Sequence, residues 1–303
     1  MTRVRVDDAR AGLRVDHLVA NATPGLGIAG ARRLFAAGAV RLDGRVARKG
    51  ERVVAGQTLE IDDAAEARPV ARVEADQTVK VAWLYVDDAL VAIDKPAGVP
   101  SHPLRAGERG TAANAIVARF PECAAASPDP REGGLGHRLD TGTSGVLLAA
   151  RGREAWEKLR AALRAPTCSK TYLAEVAGAP PERGVETASI GRAGRRSGRV
   201  RVGGGRGPLA ARTEWEVLER RGATALVVAR LHAGRAHQVR AHLAAAGFPI
   251  VGDDVYGDAA VLPAAGGPSG LRLHAHTIAL PHPLTGAPLF IEAPPPAWAI
   301  LGA

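Results

Sequence analysis

Cysteine is almost absent. Cys123 and Cys168 are the two thiols in 303 residues, too few for a disulfide framework, so reduced thiols are the default expectation. Aromatic residues make up only 4% of the chain, and its core must therefore be built mainly from Val, Leu, Ile and Ala. The opening MTRVRVDDAR has no apolar core of the kind a signal peptide needs. No run approaches the roughly 18 apolar residues required to span a bilayer. These absences lead us to expect a soluble, cytoplasmic protein. Metal-ligand spacing is also missing. Among the histidines of the C-terminal part, His232, His237, His242, His274, His276 and His282, His237 and His242 are five positions apart and there is no HExxH, which argues against a metal hydrolase. Gly203-Gly204-Gly205 lacks the Lys-Ser/Thr ending of a phosphate-binding loop. No metal and no cofactor are expected.

Basic charge, by contrast, is abundant. The formal net charge is +9, which favours a polyanionic partner and points to nucleic acid more than to a membrane. The excess is concentrated. Ile190 to Arg212 contains Arg192, Arg195, Arg196, Arg199, Arg201, Arg206 and Arg212 and no acidic residue, and reads as a mobile basic loop or hairpin.

The chain divides by composition. Residues 1–63 read as a small α/β module with a helix around Val15, Leu18 and Val19. A second helix is expected over Ile28 to Ala37 with Arg32 and Arg33 exposed. A hairpin through Val40 to Val46 turns at Asp43-Gly44, and Arg45, Arg48, Lys49 and Arg52 follow. Such a unit can present cations to a phosphate backbone. Residues 64–78, polar and Ala-rich, read as a linker. Residues 79–303 form the larger domain. Strands are expected at Leu84 to Ile93, Val146 to Ala150, Tyr172 to Val176, Trp215 to Arg230, Leu271 to Leu280 and Leu289 to Glu292. Helices are expected from a Thr111 cap to Phe120, over Arg153 to Arg164, and from Gly234 to Ala246 with Gly247 as the stop. Strands outnumber helices without regular alternation. This predicts an α+β fold with a mixed, mainly antiparallel sheet and flanking helices.

Two stretches could carry chemistry. Gly136 to Gly145 places Asp140 in a Gly/Thr/Ser-rich turn ahead of a buried strand, a geometry that can hold a carboxylate at the mouth of a cleft. Gly234 to Leu243 carries Arg235 and Arg240, followed by Gly252-Asp253-Asp254-Val255-Tyr256-Gly257. A guanidinium from here can orient a carboxylate by a paired hydrogen bond.

His137-Arg138-Leu139-Asp140 with Thr143-Ser144-Gly145 matches the HRLDxxTSG signature of the RluA/RluD family of RNA pseudouridine synthases, which the chain resembles. Further similar pieces follow the family order: Asp94-Lys95-Pro96-Ala97-Gly98 with His102-Pro103, Lys170-Thr171-Tyr172-Leu173, the Gly234 to Leu243 stretch with GDDVYG, and Leu273 to His276 with His282-Pro283. The N-terminal GAVRLDGRVARKGERVVAGQTLEI resembles the alpha-L RNA-binding motif.

The resemblance implies isomerisation of uridine to pseudouridine in structured RNA, without metal or redox chemistry. It implies that Asp140 is the catalytic aspartate and that Arg235 pairs with it. Tyr172 stacks on the target base, and Arg138 contacts RNA beside the flipped nucleotide. Ala233 and Ala236 stand where hydroxyl residues are common, and Val239 replaces a usual isoleucine. Ribosomal RNA of the large subunit is the favoured substrate, with transfer RNA as runner-up, and a monomer is expected. A non-catalytic RNA-binding or ribosome-assembly factor would share the charge and the N-terminal module, but not the Asp140, Tyr172 and Arg235 set.

Overall fold

The computed structural model describes the chain except residues 24–30, 32, 33, 36, 49, 63–71, 106, 195–197, 232, 233, 258–269 and 303. Arg32, Arg33, Lys49, Arg195, Arg196, His232, Ala233 and most of the expected second N-terminal helix lie outside the described residues. The chain forms two compact units, Met1–Ala71 and Arg72–Ala303.

In the first unit, β1 (Thr2–Arg5), β2 (Val40–Leu42), β3 (Arg45–Val46) and β4 (Thr58–Ile61) form an antiparallel sheet in the order β1-β4-β2-β3. The helix α1 (Val15–Ala22) buries Val15, Leu18 and Val19 beside Val40, Leu42, Leu59 and Ile61. The β2–β3 turn has Asp43 and Gly44 both at positive φ, 48° and 76°, as a tight hairpin whose twist matches its strands requires. Asp43 reinforces the turn by accepting from the Thr58 N–H at 2.8 Å. Part of the basic hairpin is committed internally: Arg45 pairs with Glu51, and Arg52 donates to the Gly12 carbonyl.

The second unit is built on a nine-stranded sheet. Its strands are β5 (Ala82–Val86), β6 (Leu90–Lys95), β7 (Ser144–Ala150), β8 (Ser169–Ala177), β9 (Arg183–Glu186), β13 (Thr213–Arg221), β14 (Thr224–Leu231), β15 (Leu273–Pro281) and β16 (Pro288–Glu292). The order is β5-β6-β7-β15-β8-β14-β13-β9, with β16 also paired to β15. The β7–β15 pair is parallel and the other pairs are antiparallel, the mixed, mainly antiparallel α+β architecture expected. The helices are α2 (Ala112–Arg119), α3 (Cys123–Ala126), α4 (Arg153–Ala162) and α5 (Gln238–Ala245). Thr111 caps α2 through a reciprocal box with Asn114, which satisfies amide groups that the first helical turn leaves unpaired.

Two expectations are refined. Of the loop or hairpin read for the basic stretch, its described residues take the hairpin form. β10 (Ile190–Arg192), β11 (Val200–Val202) and β12 (Arg206–Leu209) form a small antiparallel sheet in the order β11-β10-β12. Ile190 is buried, and a Cβ on Gly191 would lie 2.4 Å from the Gly204 carbonyl, so glycine is what lets these backbones meet. The C-terminal part of the expected linker is also structural. Val73 is buried and donates its N–H to Pro130 at 2.9 Å, and the Asn114 amide donates to the Glu74 carbonyl at 2.7 Å.

The register explains where the site lies. Tyr172 on β8 stands opposite Ala275 on β15, and Ala275 stands beside Gly145 on β7. A Cβ on Gly145 would come 2.2 Å from the Ala275 carbonyl, and Gly145 has φ 108°. Only glycine lets β7 enter the sheet here. The loop leading into β7 therefore ends next to Tyr172.

Candidate active site

The loop holding Asp140 is fastened on both sides by the end of β6 and the segment after it. Ser101 Oγ accepts from the Leu139 N–H at 3.0 Å and donates to the Leu139 carbonyl at 2.6 Å. On the other side, the Thr141 carbonyl accepts from the Gly98 N–H at 2.8 Å and from Lys95 Nζ at 3.2 Å. Lys95 is wholly buried, and its ammonium also donates to the carbonyls of Pro96 and Val99. Three donors meet three acceptors, which satisfies a group that is costly to bury unpaired. Burial still pulls its pKa down to about 8, against the attraction of Asp140 and Asp94.

With its backbone held, Asp140 presents its side chain to a cavity of about 310 Å³ lined also by Arg138, Tyr172, Arg235, His237 and Arg240. That volume falls within the roughly 300–1,000 Å³ of ligand pockets. All four side chains singled out from sequence thus border one cavity, but one of them, Arg235, does not make the expected contact. Arg240 Nη1 donates to Asp140 Oδ2 at 2.9 Å. Arg235 instead donates its Nε to the Ala210 carbonyl at 3.1 Å. The expectation that Arg235 pairs with Asp140 is corrected: the partner is Arg240.

The reason is the start of α5. The predicted helix begins at Gly234, whereas α5 begins at Gln238, because His237 is left-handed with φ 53°. Gln238 bridges the break, accepting from the Arg235 N–H at 2.9 Å and donating to the Arg212 carbonyl at 2.9 Å. Arg235 thus lies in the turn before the helix, and Arg240 in its first turn points inward. Asp253, fully buried, takes Arg240 Nε and Nη2 at 2.8 Å each. Asp253 also accepts from the Val255 and Tyr256 N–H groups. Burial raises the Asp253 carboxyl, but the Arg240 and backbone hydrogen bonds outweigh it and hold the group below its ordinary range. For Arg240 burial again opposes the charge, and the hydrogen bonds to Asp253 and Asp140 prevail, raising its pKa. A guanidinium that joins Asp253 to Asp140, with Asp254 Oδ1 also 3.4 Å from Nη2, is a charge-assisted arrangement that fixes geometry as well as charge. The GDDVYG segment was the sequence signal for Asp253, though its partner could not be read there.

Tyr172 is half-buried and packs between two apolar clusters, one containing Ile93 and Leu147 and the other Val227 and Leu243. Burial and the nearby Asp140 charge push its phenol up, so it stays neutral. Arg138 is exposed at the rim. Other histidines are occupied structurally: His242 sits between Thr213 Oγ1 and the Ala188 carbonyl, His274 Nδ1 lies 2.8 Å from Ser144 Oγ, and His282 bonds Asp87. Among the described residues no group of three or more His, Cys, Asp or Glu is placed to hold a metal ion.

A carboxylate held by a guanidinium beside a tyrosine ring, in a basic chain, is the set the sequence signature implied. Residues 89–245 match the family model described as RNA pseudouridylate synthase. The chain belongs to the RNA pseudouridine synthase family, in its RluA/RluD branch. It is 36% identical over 301 residues to a ribosomal large subunit pseudouridine synthase D of Xanthomonas campestris pv. campestris, an alignment covering 96% of this chain and 88% of the relative. It is 32% identical to the Pseudomonas aeruginosa protein of the same name, covering 86% and 81%. Among solved structures, human RNA pseudouridylate synthase domain containing 1 is similar with a TM-score of 0.58 and 25% identity, covering 74% of this chain and 86% of that one. This RNA pseudouridine synthase therefore shares sequence with its relatives across nearly its whole length and fold with a solved relative over about three quarters of it.

Proposed function

We propose that this synthase isomerises specific uridines of large-subunit ribosomal RNA, with Asp140 as the catalytic carboxylate. The bond from uracil N1 to ribose C1′ breaks and a bond from C5 to C1′ forms; C5 gives up its hydrogen and N1 gains one. The product is an isomer, and no oxidant or reductant enters. The base must leave its stack to reach the cavity, at a cost of a few kcal/mol. Stacking on Tyr172 offsets about 1–3 kcal/mol of that. Asp140 then meets the sugar as nucleophile or base, oriented by Arg240, while Arg138 at the rim contacts the RNA. The observation that carries this reading is the 2.9 Å pair between Asp140 and Arg240 inside the cavity that Tyr172 borders. The choice of RNA rests on the names of the relatives and on the basic charge of the chain. The first unit, with its Arg-bearing hairpin, raises affinity or selects the site.

Pseudouridine mapping of ribosomal and transfer RNA from a deletion strain against wild type tests the substrate. Loss of one or more large-subunit pseudouridines is expected. Loss confined to transfer RNA would overturn the ribosomal assignment, and an unchanged map would overturn the activity. In a tritium-release assay, Asp140→Asn is expected to abolish turnover while RNA binding persists.

A further inference from the structure

Asp140 has two carboxylate oxygens, and Arg240 engages Oδ2. Oδ1 faces His237, whose Nε2 lies 3.5 Å away. That distance is long for a hydrogen bond, but catalytic contacts often tighten only when substrate closes the site. The other ring nitrogen, Nδ1, lies 3.0 Å from Tyr256 Oη. Tyr256 Oη in turn accepts the Val200 N–H at 2.8 Å. With that N–H filling one lone pair, the phenol's own hydrogen is free to point at His237 Nδ1. An Nδ1 that accepts leaves the ring hydrogen on Nε2, aimed at Asp140 Oδ1.

Resting on the function proposed above, we infer that His237 is a positioning residue for Asp140, donating from Nε2 to Oδ1, and that Tyr256 selects the tautomer that makes this possible. Both carboxylate oxygens are then addressed, and the group cannot rotate. Burial, with the Arg240 and Arg138 charges, depresses the His237 pKa against the pull of Asp140 and Asp253, which keeps the ring neutral. The left-handed backbone at His237 is unfavourable for a residue with a side chain, and strain of this kind gathers at functional sites. The relay begins at Val200 on β11, so the small basic sheet is tied to the carboxylate through Tyr256 and His237. Arg199 strengthens the tie, with its guanidinium 5.7 Å from the centre of the Tyr256 ring.

The test combines spectroscopy and kinetics on the full chain. In ¹⁵N spectra of the imidazole, wild type is expected to show the Nε2–H tautomer, and Tyr256→Phe a shift towards Nδ1–H. His237→Asn tolerates the left-handed backbone but is too short to reach Oδ1. It is expected to lower kcat about 10- to 100-fold, the range typical of lost orienting partners, with KM within a few-fold of wild type. An Nδ1–H ring in wild type, or a His237→Asn variant with wild-type kcat, would overturn the inference. Wild-type protein without turnover on any RNA would remove the proposed function, and the tautomer measurement would still decide the His237–Tyr256 relay.

Discussion

Ser101 Oγ bonds both the N–H and the carbonyl of Leu139, the residue before Asp140, from 38 positions away. A single hydroxyl thereby fixes the peptide on which the carboxylate depends. Ser101→Ala leaves both groups buried without that partner. A loss of about 1–3 kcal/mol in unfolding free energy follows, with a fall in kcat larger than any change in KM. Denaturant titration and steady-state kinetics check this; an unchanged kcat would mean that Gly98 and Lys95 suffice to hold the loop.

Arg240 and Arg235 separate cleanly by substitution. Arg240→Lys keeps the charge but loses the fork that spans Asp253 and Asp140. We expect kcat to fall about 100-fold or more, in the range seen when a preorganised electrostatic contact is removed. Arg240→Ala also strands the buried Asp253, costing about 3–5 kcal/mol of stability. Arg235→Lys is expected to stay within a few-fold of wild type. The reverse ranking in single-turnover rates would restore Arg235 as the partner.

Tyr172 tests the stacking role. Tyr172→Phe retains the ring and is expected to keep partial activity. Tyr172→Ala removes stacking worth about 1–3 kcal/mol per base, and kcat/KM should drop about 5- to 150-fold. Wild-type turnover by Tyr172→Ala would end the role.

Acid should weaken the fold through His274. The ring is buried, and burial pulls its pKa down to about 4 from the ordinary 6.5. Between these values the unfolded chain takes up a proton that the folded protein refuses. Stability contributed by the neutral ring is therefore complete above pH 6.5 and declines as pH falls towards 4, by up to about 3 kcal/mol. Thermal unfolding from pH 7.5 to 4.5 should show the decline, and His274→Asn should make it shallower, while His137, whose pKa burial pulls down to about 3, still contributes. Identical slopes in the two proteins would exclude His274 as the source.

The chain from Arg72 onward is expected to fold and to retain the catalytic cavity, because residues 73–78 pack within the second unit. Without the first unit, RNA affinity should fall and its salt dependence become shallower, since fewer phosphates are neutralised. Filter binding at several salt concentrations measures both. Unchanged affinity, slope and site choice would make the first unit a passive appendage.

The sequence alone determined what short-range chemistry controls. Asp43-Gly44 announced its turn, Thr111 announced the α2 cap, the apolar run Val146 to Ala150 announced β7, and Trp215 to Arg230 announced the β13–β14 hairpin, because neighbours within a few positions decide those conformations. It also pointed to Asp140, Tyr172 and Arg138 through the resemblance of their motifs to the family's, and the three border one cavity. Tertiary structure decided the pairing. Arg235 and Arg240 are equivalent in kind, and only Asp253, 13 positions beyond Arg240, and Asp140, 100 positions before it, select between them. The left-handed His237, the buried Lys95 and the ordered basic sheet likewise depend on partners distant in the chain. Ion pairs and buried hydrogen bonds act through space, so they become legible only when the sheet register has brought their two ends together.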